Sequence, residues 1–178
     1  MEKSEAYPWQ LLLSGRLSKF DVESYAQTLH HDEQGISLLV ETLLTTKVER
    51  VALNAAWILS HLRKEDKEIY LASSYDKLAD FAMQPHLTIR RGLVLSILLD
   101  ISIGEKIRTD LLDFCLKGML SRKESDSSRS MMIKLASKLC KPYPELKSES
   151  IINLELLSGE TKPSIACARK NALNYLKS

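Results

Sequence analysis

The sequence predicts an all-α fold of about four tandem helical hairpins, on three observations. Arginine recurs at Arg50, Arg90, Arg129 and Arg169, at separations of 40, 39 and 40 residues. Each of these arginines opens an apolar helical stretch: RVALNAAWIL, RRGLVLSILL, RSMMIKLASK and RKNALNYLKS. Finally, no strand alternation of useful length occurs, and six glycines are too few to punctuate a sheet of many strands.

Counted from each arginine, the third residue is Leu53, Leu93, Met132 or Ala172 and the seventh is Trp57, Ile97, Ala136 or Leu176, all apolar. The fourth is Asn54, Val94, Ile133 or Leu173, so three of the four units complete an i, i+3, i+4, i+7 stripe. A period near 40 with one such helix per unit belongs to helical-pair repeats, which bury their apolar faces only by stacking.

The elements follow in order. Residues 1–30 hold one or two short helices, WQLLLSG and FDVESYAQTL, which suit a cap over the open end of the stack. From residue 33 onward A and B helices alternate. The A helices are predicted over 33–45, 66–83, 105–121 and 144–158, and the B helices over 47–63, 87–101, 127–141 and 164–177. In the third A helix Ile107, Leu111, Cys115 and Met119 fall four apart and form a buried face. The serine pair at 73 and 74 breaks the second. Pro85 and Pro163 mark turns ahead of B helices, Asp126 or Ser127 caps the third B helix, and Thr45 or Thr46 caps the first. The polar run SRKESDSS at 121–128 reads as a loop.

Composition bounds the rest. A chain of 178 residues with 44% hydrophobic and 27% charged side chains is expected to form one globular domain, 1–178. The apolar run Trp9 to Leu13 is too short for a signal-peptide core, and no stretch approaches the roughly 20 apolar residues that span a bilayer. Cys115, Cys140 and Cys167 are odd in number and lack CxxC spacing, which predicts reduced, buried thiols in a cytoplasmic protein.

The B helices and their spacing resemble HEAT and armadillo repeats. QPHLTIRRGLVLSILL is similar to the HEAT pattern of a proline-bearing turn, then Ile-Arg, then apolar residues at helical spacing. NAAWILSHL resembles the armadillo phrase in which Trp is followed by Leu and Ser. The resemblance covers residues 33–178 and implies a right-handed α-α superhelix that serves as an interaction scaffold. HEAT repeats usually place an aspartate six residues before the arginine. This chain has Leu44, Gln84, Lys123 and Pro163 there, so its arginines need other partners. Armadillo proteins line a peptide groove with Trp and an Asn four residues later. Here Trp57 and His61 hold that spacing and the other units carry no Trp, which reduces the groove to one local pocket.

Charge is sorted along the chain. The net is +2, yet the segments 47–63, 88–100, 127–141 and 164–178 carry 12 basic and 2 acidic residues while the remainder carries 13 and 21. In superhelices of the resembled class the B helices line the concave side, which implies a basic groove for an acidic partner. Arg63, Lys138, Lys141 and Lys177 also sit near helix C-termini, where the dipole favours cations. The recurring arginines stand in first turns, where the dipole opposes them. They are expected to bond A-helix carbonyls or carboxylates, to face a partner, or both.

Reaction chemistry is not expected. His30 and His31 read as a solvated helix end or turn, since adjacent helical residues face different ways and no HExxH follows. His86 carries no motif, and His61 lies one turn after Trp57 on a helix surface. No GxGxxG, GxxxxGK[ST] or GxSxG occurs. The expectation is therefore a non-enzymatic scaffold without cofactor, metal or membrane contact, binding an acidic protein segment through Trp57, His61, Arg50, Arg90, Arg91, Arg129 and Arg169. Two alternatives remain. One is nucleic-acid binding, because the basic B helices and Trp57 resemble those of HEAT-like alkylpurine DNA glycosylases. The other is self-association through an exposed Tyr175 and Leu176.

Overall fold

The computed structural model describes residues 8–87, 89–104 and 106–178. The first seven residues of the expected cap, Thr88 in the second B segment and Glu105 at the expected start of the third A helix lie outside the described residues. Among the described residues all regular structure is helical. No helix among them is long and apolar enough to cross a membrane.

The chain packs as two compact units, Met1–Ile101 and Ser102–Ser178. The first unit holds α1 (Trp9–Leu12), α2 (Lys19–Thr28), α3 (Glu33–Thr45), α4 (Glu49–His61), α5 (Lys64–Tyr70), α6 (Tyr75–Ala82) and α7 (Arg91–Asp100). Within it α3 pairs with α4, α6 pairs with α7, and α4 packs on both α2 and α7. The second unit holds α8 (Thr109–Leu120), α9 (Asp126–Cys140), α10 (Pro144–Glu155) and α11 (Pro163–Lys177). There α9 is central, packed on both α8 and α11.

Local chemistry sets the boundaries. Ser18 and Asp21 form a reciprocal capping box at the start of α2, and the Asp32 carboxylate accepts the Gly35 N–H at the start of α3. Pro144 and Pro163 open α10 and α11 at N1, where a missing N–H costs nothing. The expected long second A helix is interrupted by a 3₁₀ turn at Ala72–Ser74, at the serine pair, a residue type of low helix propensity.

Three expectations are corrected. Ser125, not Asp126 or Ser127, caps α9 by accepting the Ser128 N–H, so the helix begins inside the polar run and the loop ends at Ser125. The first B helix begins after Val48 without a side-chain cap, while Thr46 accepts the Val48 N–H from outside it. Only two thiols are buried. Burial pushes Cys115 up to about 12 and Cys140 up to about 11, whereas Cys167 is exposed.

The core of the first unit is largely aliphatic, with Ile36, Leu39, Leu43, Ile58 and Leu59 fully buried. In the second, α8 approaches α9 closely at Gly118, where a Cβ would stand 2.4 Å from the Met132 sulfur. The two residues expected to drive self-association part company: Leu176 is buried, while Tyr175 is exposed beneath the Lys141 ammonium at 4.7 Å.

Candidate functional site

Burial sets a register that differs from the arginine spacing in the first two hairpins. Starting from Val51, Arg91, Arg129 and Arg169, the residues three, four and seven positions on are all buried. They are Asn54, Ala55 and Ile58; Val94, Leu95 and Leu98; Met132, Ile133 and Ala136; and Ala172, Leu173 and Leu176. Arg50 and Arg90 therefore sit one residue ahead of the structural position, turned by about 100° around their helices. Leu53, Leu93 and Trp57, which follow them at helical spacing, are only half-buried.

The arginines at the structural position point inward and bind the end of the preceding A helix. Arg91 donates to the carbonyls of Ala82 and Gln84 at the end of α6. Arg129, 5% exposed, donates through Nε to the Met119 carbonyl at 2.9 Å in the last turn of α8, and its Nη2 pairs with Glu160 at 2.9 Å. Arg169 donates through Nε to the Leu154 carbonyl and through Nη2 to Glu155, each at 2.7 Å, at the end of α10. The last carbonyls of a helix lack intrahelical partners and carry the negative end of the dipole, so a guanidinium satisfies both. This contact replaces the missing aspartate ladder. In the first hairpin Val51 takes the position and is 1% exposed.

Arg50 and Arg90 have no such partner. With Arg16, from the segment between α1 and α2, they line a pocket of about 250 Å³ in the first unit. None of the three guanidinium groups makes a hydrogen bond or ion pair with a described residue. The floor is apolar, formed by Leu17, Leu53, Leu93 and the half-buried Trp57. Asn54, 2% exposed, completes the lining and donates both amide hydrogens to the carbonyls of Leu13 and Gly15 at 2.9 and 2.8 Å. That contact explains the one polar residue in the first apolar stripe: it anchors the chain that leads to Arg16.

Of the seven residues expected at a partner surface, the pocket gathers Arg50, Arg90 and Trp57. His61 is not part of its lining; it is exposed, with its ring 6.3 Å from the Trp57 ring in an edge-on arrangement. Arg91, Arg129 and Arg169 are held by the contacts above. Arg16 carries no helical periodicity, because it lies between helices, and sequence pattern offers no signal for it. In the second unit the residues one place ahead of Arg129 and Arg169 are Ser128 and Ala168, both buried, so the outward arginine position stops after α7.

Two other features bear on chemistry. His30, His31 and Asp66 bring ligand atoms within 4.8 Å of one another. The pair lies in the turn after α2, as expected, with His31 exposed; His30 is half-buried against the fully buried Asp66. His30 Nδ1 lies 2.8 Å from the Asp66 carboxylate and its Nε2 lies 2.9 Å from Arg63 Nη1. Both ring nitrogens are engaged, and the His31 N–H also donates to Asp66, so the trio ties the turn after α2 to α5. A metal ion would have to break that network. A larger pocket of about 780 Å³ in the second unit holds charges of both signs, with Arg129 paired to Glu160 and Lys162 near Asp126 at 3.9 Å. The pocket at Trp57 is lined by cations without a carboxylate.

Comparison with curated proteins and with solved structures gave no match. A family model described as the HEAT repeat domain matches residues 9–176, nearly the whole chain. The inward arginines that fasten three of the four B helices to their A helices, the buried stripe that recurs once per hairpin and this match agree, and the chain belongs to the HEAT repeat domain family.

Proposed function

We propose that this protein is a non-enzymatic interaction scaffold that takes an acidic segment of a protein partner at the Trp57 pocket. HEAT repeats generally mediate protein interactions, and the finer reading rests on charge that the fold leaves uncompensated. The observation that carries it is the meeting of Arg16, Arg50 and Arg90 around an aromatic floor, with no carboxylate in the lining. Arg50 in the first turn of α4 and Arg90 at the N-cap of α7 stand where the helix dipole opposes a cation. An incoming carboxylate relieves that opposition, accepts from guanidinium forks and meets two helix N-termini. Trp57 supplies the amphipathic surface on which recognition hot spots are commonly built.

The alternative of a nucleic-acid track finds less support, because a duplex needs phosphate contacts repeated along its length. Arg129 and Arg169, which would extend such a track, are occupied internally. The test is fluorescence anisotropy with a pool of labelled acidic peptides against wild type and Arg50→Glu/Arg90→Glu. Binding falls at least about tenfold in the variant, as expected when charge-assisted hydrogen bonds are replaced by repulsion. Equal binding by a variant with unchanged thermal stability overturns the reading.

A further inference from the structure

We infer that the group seated in the Arg16, Arg50 and Arg90 pocket is a phosphorylated side chain; this rests on the acidic-partner reading above and names its chemistry. Three arginines line this one pocket, and none of their guanidinium groups pairs with a described carboxylate. One carboxylate offers a single negative charge and two oxygens. A phosphomonoester carries about −1.5 to −2 and presents three acceptor oxygens, one for each arginine.

Size points the same way. At about 250 Å³ the pocket falls below the roughly 300–1,000 Å³ of sites that enclose a small molecule or cofactor. It suits one side chain and the residue beside it. The three arginines come from separate segments, the α1–α2 connection, α4 and the N-cap of α7, and line one small pocket. That arrangement fits a single modified residue. The floor of Leu17, Leu53, Leu93 and Trp57 then receives an apolar neighbour of that residue, which makes the favoured ligand a phosphorylated residue next to an aliphatic or aromatic one. Asn54 fixes the backbone that carries Arg16, by holding the carbonyls of Leu13 and Gly15 just before it.

The experiment uses the full chain and three degenerate peptide libraries identical except for a central serine, phosphoserine or glutamate. Binding is read by anisotropy and, independently, by Trp57 emission; Trp9 is buried and supplies a constant background. The phosphoserine library is expected to bind about tenfold tighter than the glutamate library, with the preference lost in Arg50→Ala/Arg90→Ala and reduced in Arg16→Ala. The Trp57 signal is expected to disappear in Trp57→Phe. Equal affinity for phosphoserine and glutamate that still depends on Arg50 and Arg90 overturns the phosphate assignment while leaving the acidic-partner reading in place. Binding of no library overturns both. Competition by a short DNA duplex with a steep salt dependence also overturns the assignment and replaces it with phosphodiester recognition.

Discussion

Glu160 accepts the backbone N–H groups of Thr161 and Lys162 at 3.0 and 3.1 Å and faces Arg129 at 2.9 Å. The Lys162 N–H is the main cause, with the Arg129 side chain contributing, that holds its carboxyl below the ordinary value of 4.5. A carboxyl lowered on folding stabilises the native state fully above its unfolded value and loses that contribution as pH falls through the folded one. Urea midpoints should therefore decline on acidification below about pH 4.5, and Glu160→Gln should show a shallower decline over the same window. Identical acid profiles for the two proteins would refute the role given to this side chain. At this scale the sequence was partly readable. That arginines in first turns need partners follows from the dipole alone, and A-helix carbonyls are among the partners it suggests. Which arginines take them does not follow, because RRGLVLSILL is apolar on every side and accepts a register from Arg90 or from Arg91 equally well.

Among elements, α5 shows how a short helix is held. Lys67, 3% exposed, donates to the Ser60 carbonyl in the last turn of α4 and to the Asp100 carboxylate at the end of α7, both at 2.7 Å. One ammonium thus meets the negative ends of two helices. Lys67→Ala should cost about 2–3 kcal/mol in denaturant unfolding, less than a fully buried pair, because Asp100 keeps access to water. A loss under about 0.5 kcal/mol, the range of ordinary surface changes, would contradict this account. Helices were the most legible part of the chain. The break at the serine pair and the alternation of A and B segments follow from turn chemistry and apolar period. Boundaries shifted where a cap lay one residue outside the expected one, as at Ser125, and the His30 contact to Asp66 joins residues 36 apart that no local pattern connects.

For the molecule as a whole, one period serves two purposes separated by a single residue step. Arg91, Arg129 and Arg169 close hairpins; Arg50 and Arg90, one place earlier on their helices, remain outward and meet Arg16 and Trp57. The segregated charge of the B segments thus splits into structural and available parts, a division that composition alone leaves merged. The most direct measurement is the urea midpoint of five single alanine variants, at Arg50, Arg90, Arg91, Arg129 and Arg169. Arg129→Ala should be the most destabilised, because it strands the buried Met119 carbonyl and leaves Glu160 with its backbone donors alone, Arg91→Ala and Arg169→Ala should lose about 1–3 kcal/mol, and Arg50→Ala and Arg90→Ala no more than about 0.5. Arg50→Ala and Arg90→Ala as destabilised as the other three would contradict the division on which the proposed binding site depends.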